Sequence, residues 1–438
     1  MLDIIAGMTL RTTLAYVGLG TFTAMAASAA PTTAAKAEDK SPARTLTLTT
    51  KSEAAAAQLR DLQRRIESFQ GGPVTQAQAR TIVELDPEFA LGQYYLSAVT
   101  PPPEGPKLLE KAAALARSAS EGERRFVEAM VLARGPNPEQ AIEPLRKLTE
   151  DYPGERPLLT ILGQTYAQLG RQEDARAAYE KAIALDGSTP RAHALVGHYH
   201  LMNGDYAKAR EMYRVARTKL PPRVAPGAIS YSTAFTYLYE GQPDEAIKVL
   251  SDYAVEYKDT DNALSQPEVF IWNSIARINL ENGRYAEALK AYEKGFQSVP
   301  GSRLSETDKQ IWLGRLHHGR GRTLARMGRH EEAWKEAQTI RAMIDGGGER
   351  GKQFEPSYQY LAGYLKLEEG DYAAAIAHLK QAEPTRDPFR DLLLARAYEK
   401  AGDKENARKT YQEVVSSKQN NLERALSYPE AKKKLAAL

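Results

Sequence analysis

The chain has 438 residues and no cysteine, and its 59 Lys plus Arg against 56 Asp plus Glu leave a formal net charge of +3. Without thiols there is no disulfide, thiolate zinc site, cysteine nucleophile or lipid-bearing cysteine. A near-balanced charge supplies no global basic field for nucleic acid, so none is expected as a partner.

Residues 1–30 read as an export signal: Arg11 in a short basic region, an apolar run from Leu14 to Ala26, and Ala27-Ser28-Ala29 as a small-residue cleavage site. Initiation at Met8 would place Arg11 nearer the terminus. The apolar run is short for a bilayer span, so the expected product is an exported chain, periplasmic or extracellular, with no span after cleavage. Residues 31–50 are Ala, Thr, Ser, Pro, Lys and Glu with few large apolar side chains, the composition of a disordered linker. Leu59, Leu62, Ile66 and Phe69 then recur at helical spacing. Gly71-Gly72-Pro73 ends that helix, and a second runs to about Leu85 before Asp86-Pro87. Further helices follow through residue 155, interrupted by Pro101-Pro102-Pro103.

From Arg156 the chain writes one pattern twice. Leu159, Leu162, Gly163, Tyr166, Gly170, Ala175, Tyr179 and Ala182 return at a constant offset as His193, Val196, Gly197, His200, Gly204, Ala209, Tyr213 and Ala216. The first four lie on one helix face, Gly170 stops that helix, and Ala175, Tyr179 and Ala182 stripe a second. Neither helix hides its apolar face alone, so such pairs must stack. The pattern resembles the tetratricopeptide repeat, with Pro221 where a unit closes. The resemblance implies an all-α fold, a solenoid of tandem helix-turn-helix units, with divergent repeats over 51–155 and the main array over 156–420.

Five more turn glycines, Gly241, Gly283, Gly328, Gly370 and Gly402, each precede an alanine five residues on: Ala246, Ala288, Ala333, Ala375 and Ala407. Polar insertions near Lys258–Pro267, Gly301–Asp308 and Asp345–Glu355 read as loops. A polar helix over 421–438, holding Lys432, Lys433 and Lys434, is expected to cap the open end.

Several patterns look chemical and fail on context. Gly346 to Gly351 satisfies G-x-G-x-x-G, but a helix precedes it where nucleotide loops need a strand. His193 and His200 share a face yet occupy core positions of their repeat, and no fixed carboxylate completes a metal set. Asp259 to Asn262 starts like a calcium loop, but Ala263 and Leu264 stand where a ligand and a turn glycine belong. No nucleophile, base and acid set assembles, so no enzymatic activity, metal or cofactor is expected.

If first helices line a concave face, as the resemblance implies, the groove would be contacted by Tyr231, Phe235 and Tyr239, then Phe270, Asn273 and Arg277. Arg315, His318, Arg322 and Arg326 would follow, then Tyr360, Tyr364 and Arg396. Arg315, Arg322 and Arg326 read as a basic ladder with no acidic partner on its face. Aromatics flanking arginines suit interface anchors. The expected role is a non-enzymatic envelope scaffold binding a peptide or partner protein, the alternative being an acidic glycan stacked on the tyrosines in envelope export or assembly. The Lys and Asn carboxylate clamp of chaperone-binding family members is not reproduced.

Overall fold

A computed structural model describes residues 44–260, 263, 267–382 and 387–437. The described residues are helical, with no strand among them, and they form ten successive hairpins. The first five pair α1 (Glu53–Glu67) with α2 (Pro73–Leu85), α3 (Ala90–Val99) with α4 (Glu104–Ala116), α5 (Glu121–Ala133) with α6 (Ile142–Asp151), α7 (Arg156–Gln168) with α8 (Gln172–Leu185), and α9 (Pro190–Met202) with α10 (Tyr206–Arg217). The next five pair α11 (Gly227–Tyr239) with α12 (Pro243–Lys258), α13 (Val269–Glu281) with α14 (Tyr285–Phe296), α15 (Glu306–Arg326) with α16 (His330–Gly346), α17 (Glu355–Glu369) with α18 (Tyr372–Gln381), and α19 (Pro388–Lys400) with α20 (Lys404–Ser416). A last helix, α21 (Leu422–Ala437), follows.

The last seven hairpins share one turn. At Gly170, Gly204, Gly241, Gly283, Gly328, Gly370 and Gly402 the backbone takes positive φ, which glycine adopts without a Cβ penalty. The next amide bonds back across the turn, as Arg171 N to the Tyr166 carbonyl and Asp205 N to the His200 carbonyl, both 2.9 Å, the Schellman closure. After Gly204, Gly370 and Gly402 an aspartate caps the second helix, Asp403 accepting from Asn406 N at 3.1 Å. The alanine five residues past each glycine is then buried at the helix crossing. Tight approach within a pair is set at Gly163 and Gly197, where a Cβ would come within 2.3 Å of Tyr179 and 2.8 Å of Tyr213.

Each second helix packs on the first helix of the following hairpin, and first helices also touch one another, so the odd-numbered helices form the inner layer of a stack of repeats, an α-solenoid. The winding is tight: Arg156 on α7 pairs with Glu67 on α1 at 2.9 Å, and Arg191 on α9 reaches the Ile66 carbonyl at 3.4 Å.

Three expectations meet corrections. The expected leader and most of the expected linker lie outside the described residues, but its last part, 44–50, is an ordered strap. Leu46 is buried, and Thr49 N donates to Glu123 Oε1 at 2.7 Å and Leu46 N to Glu155 Oε2 at 3.1 Å. Two buried carboxylates, Glu123 on α5 and Glu155 at the N-terminus of α7, supply what the strap's composition could not. The loop expected over 345–355 is mostly helical: α16 runs to Gly346, a single turn spans Gly348–Gly351, and a 3₁₀ turn spans Lys352–Phe354. Its glycines serve close backbone packing, since a Cβ on Gly351 would lie 2.1 Å from the Ile344 carbonyl oxygen. Finally, α21 does more than cap. It packs on α19 and α20, and also on α11 and α13, crossing the concave face. The insertion near 258–267 is described only in part.

Candidate functional site

The concave face of α11 to α19 carries the residues singled out from the sequence, and the structure sorts them into three groups. Phe235 and Tyr364 are core residues, 2% and 0% exposed, so the contact expected of them with a partner is corrected: both seal neighbouring hairpins. Tyr231 and Phe270 pack with Tyr253 and Tyr257 in one aromatic cluster, with Tyr231 Oη donating to the Phe270 carbonyl at 3.1 Å. Asn273 is half-buried beside them on α13.

The second group is the arginine set, and here the expected ladder is corrected. Arg326 lies between Glu281 on α13 at 3.7 Å and Glu368 on α17 at 3.9 Å, so acidic partners come from neighbouring helices that the register of α15 alone does not reveal. Arg322 is 3% exposed and spans the inner layer to Tyr292 Oη on α14, 3.4 Å away. Arg315 is half-buried, its guanidinium 4.8 Å above the Trp312 ring. His318 is buried with its ring edge-on to Tyr360 at 5.1 Å. Burial, then Arg322, Arg277 and Arg315, hold its imidazole neutral well below the usual histidine range.

The third group, Tyr239, Arg277 and Arg396, is brought together by α21. Arg424 Nη1 donates to Tyr239 Oη at 2.5 Å, and Tyr239 stacks on Tyr206 at 5.3 Å with Tyr428 edge-on at 5.7 Å. Burial pushes the Tyr239 phenol up to about 12 despite Arg424. Arg277, 7% exposed, faces Glu423 at 3.6 Å and lies 4.7 Å over the Phe389 ring. Burial would lower its pKa, but Tyr360 and Glu423 carry it above the ordinary guanidinium range. Arg396 grips Glu430 with two hydrogen bonds of 2.7 and 2.5 Å, the bidentate geometry that distinguishes Arg from Lys.

Sequence reasoning passed over Asp387, Glu281, Tyr292, Glu423 and Arg424. Asp387 was legible as the N-cap of the Pro388 helix, where its side chain accepts from Phe389 N at 2.8 Å and Arg390 N at 3.2 Å. Burial and then Glu423 push its carboxyl up to about 6, against the pull of Arg277 and the cap bonds. Glu423 and Arg424 carry no local signal, because their partners lie on helices distant in sequence. Among the described residues no group of three or more His, Cys, Asp or Glu is placed to hold a metal, and no helix is long and apolar enough to cross a membrane.

Tetratricopeptide repeat family models match residues 162–223, 233–302 and 366–427, and the chain carries tetratricopeptide repeats there. Repeats of this kind stack into extended concave binding surfaces. No curated protein matches the chain in sequence. Solved structures similar in fold include a tetratricopeptide repeat protein from Parabacteroides merdae, 15% identical, covering 63% of this chain and 98% of that one with a TM-score of 0.45. PilW, a widely conserved type IV pilus biogenesis factor, is 14% identical over 53% of this chain and 97% of its own (TM-score 0.37). YrrB, a tetratricopeptide repeat protein with an unusual peptide-binding site, is 17% identical over 54% and 97% (TM-score 0.31).

Proposed function

We propose that the chain is a non-enzymatic scaffold of the cell envelope that holds a peptide or partner protein against the concave face of α11 to α19. The observation that carries this reading is that the face already accepts a helix, the chain's own α21, through Tyr239, Arg277 and Arg396. Tetratricopeptide repeats supply the architecture for such binding. The acidic-glycan alternative loses its support, because Tyr231, Phe270, Tyr253 and Tyr257 spend their ring faces on one another. Export belongs to the proposal on the strength of the leader pattern in 1–30 alone, and a mature terminus near Ala30 in an envelope fraction is its check.

The test is a crosslinking capture from the native envelope fraction, run with wild type and with Arg277→Gln and Arg315→Gln. Glutamine keeps hydrogen-bonding capacity without placing a new charge inside. Capture of one protein by the wild type, lost in both variants while their helical spectra match, supports the scaffold. Equal capture by all three chains contradicts the groove assignment.

A further inference from the structure

The helix α21 sits where a groove ligand would sit, yet it satisfies the groove poorly. Asn420 Nδ2, just before it, donates to Ser232 Oγ on α11 at 2.9 Å, and Arg424 donates to Tyr239. Farther along, Glu430 takes Arg396 and Lys434 reaches Glu399, whereas the contact of Glu423 with Arg277, at 3.6 Å, is too long for a hydrogen bond. It leaves Arg277 Nε and Nη2, both buried, without a hydrogen-bond partner among the described residues, and Arg322 Nε and Nη1 stand in the same state. His318 Nε2 and Tyr360 Oη, beside them, are also unpartnered. A guanidinium presents a planar fork that a carboxylate fills with two parallel bonds. The groove therefore holds more donors than α21 offers acceptors. Of the carboxylates that share this face, Asp387 is directed to the α19 amides, and Glu281 lies 3.7 Å from Arg326 with its Oε1 buried and unpartnered, one acceptor against the several unmatched donors.

The helix is also built to leave. Its fully buried residues past Arg424 are small, namely Ala425, Ser427 and Ala431, and of its larger apolar side chains Leu422 is buried while Leu426 and Leu435 are only partly buried. Pro429 lies inside it and withholds the amide that would bond the carbonyl four residues back. Non-helical residues 417–421 join it to α20.

We infer that α21 is a displaceable occupant of the groove, and that the ligand replacing it is a helix of a partner protein that sets a carboxylate squarely on Arg277 and a side chain of the Arg424 kind on Tyr239. The inference rests on the scaffold reading above. A helix fits because the groove takes one now, and a carboxylate at the Glu423 position fits because the unmatched guanidinium donors of Arg277 and Arg322 outnumber the one unmatched carboxylate oxygen, Glu281 Oε1. The occupied groove lowers apparent affinity by the fraction of chains in which it is open, so loosening α21 tightens binding and fixing it abolishes binding.

The experiment titrates a fluorescent synthetic peptide of residues 417–438 into three full-length chains and reads anisotropy. The chains are wild type, a loosened Asn420→Ala/Arg424→Ala variant, and a Ser232→Cys/Asn420→Cys variant bridged by a short bismaleimide, a unique pair because the native chain has no cysteine. The loosened chain is expected to bind about tenfold tighter than wild type and the bridged chain not at all. A peptide carrying Glu423→Gln should lose about tenfold on the loosened chain. Equal binding by all three chains, or indifference to Glu423→Gln, overturns the inference. Should the loosened variant lose its helical circular dichroism, wild type against the bridged chain decides alone, before and after bridging. If envelope capture succeeds and this titration fails, only the displaceable helix falls. If capture is empty while the titration holds, the scaffold's partner is at fault and the latch stands.

Discussion

Along the inner face of the first hairpins, buried polar groups come in matched sets, whereas along α13 to α17 they do not. Near the N-terminal end Gln63 donates to Tyr95 Oη at 3.0 Å, Glu67 holds Arg156, and Glu155 takes both Arg60 and the Leu46 amide. What is left over there is mostly neutral, such as the Thr160 and Thr189 hydroxyls and His193 Nδ1, with one carboxylate oxygen, Glu123 Oε2. In the later hairpins the leftover atoms include, beside the neutral His318 Nε2, Tyr360 Oη and Tyr364 Oη, four guanidinium nitrogens of Arg277 and Arg322 and the Glu281 carboxylate. Burying a charge without full compensation costs several kcal/mol, so a face that keeps such groups is shaped by something other than its own stability. The early hairpins are closed on themselves by the strap and by α1 against α9, while the later face is covered by a terminal helix that fits it incompletely.

The sharpest way to break this comparison is to invert a charge on the later face. Arg322→Glu places a carboxylate beside Tyr292 in a 3% exposed site and is expected to cost about 3–5 kcal/mol in urea unfolding. A surface-like cost below about 1 kcal/mol would mean the site is open to water. Next in size, Leu46→Ala in the strap, where the side chain is 4% exposed, should cost about 2–3 kcal/mol, confirming that the first hairpins depend on residues that look like linker. Gly163→Ala should cost about 1–3 kcal/mol, because the new methyl meets the Tyr179 ring. A smaller effect of opposite sign is expected from Arg322→Met, which removes unmatched donors and should leave stability unchanged or raise it by about 1 kcal/mol. The same exchange at the matched Arg156 should lower it by about 1–3 kcal/mol. Equal losses at both positions would erase the contrast.

The smallest expected effect is a pH dependence at Asp387. Its folded-state pKa is raised to about 6, from the ordinary carboxylate value of 3.8. A carboxyl raised in this way contributes stability that is present below about pH 4 and lost as the pH climbs through about 6. Ionised Asp387 also faces Glu423, with Arg277 and Tyr360 opposite. Hence α21 should be held more firmly at pH 5 than at pH 7, and Asp387→Asn should flatten that difference in proteolytic release of residues 422–437.

The repeat array was legible because its causes are local. Gly-to-Ala spacing within one hairpin dictates the turn, the close crossing and the buried alanine together, and this holds from Gly170/Ala175 to Gly402/Ala407. The candidate site was legible only as a list of side chains on first helices. Whether Arg326 stands free or between Glu281 and Glu368 depends on how neighbouring hairpins are rotated, and no periodicity within α15 encodes that. The strap and the placement of the expected terminal helix α21 escaped for a related reason: Thr49 finds Glu123, and Glu423 finds Arg277, across separations where sequence carries no register. Phe235 and Tyr364 were misplaced because a first helix in a solenoid has two buried flanks, so an aromatic off the intra-pair stripe still packs against the next hairpin.

Hydrogen exchange across residues 422–428 in the intact chain tests the central claim most directly. If the terminal helix occupies the groove as a displaceable element, those amides are protected well beyond a frayed terminus but less than those of α19, and lose that protection in the Arg424→Ala/Asn420→Ala chain while α19 keeps its own. Exchange at the rate of a frayed terminus in the wild type would contradict the account, and the concave face of α11 to α19 would then stand open.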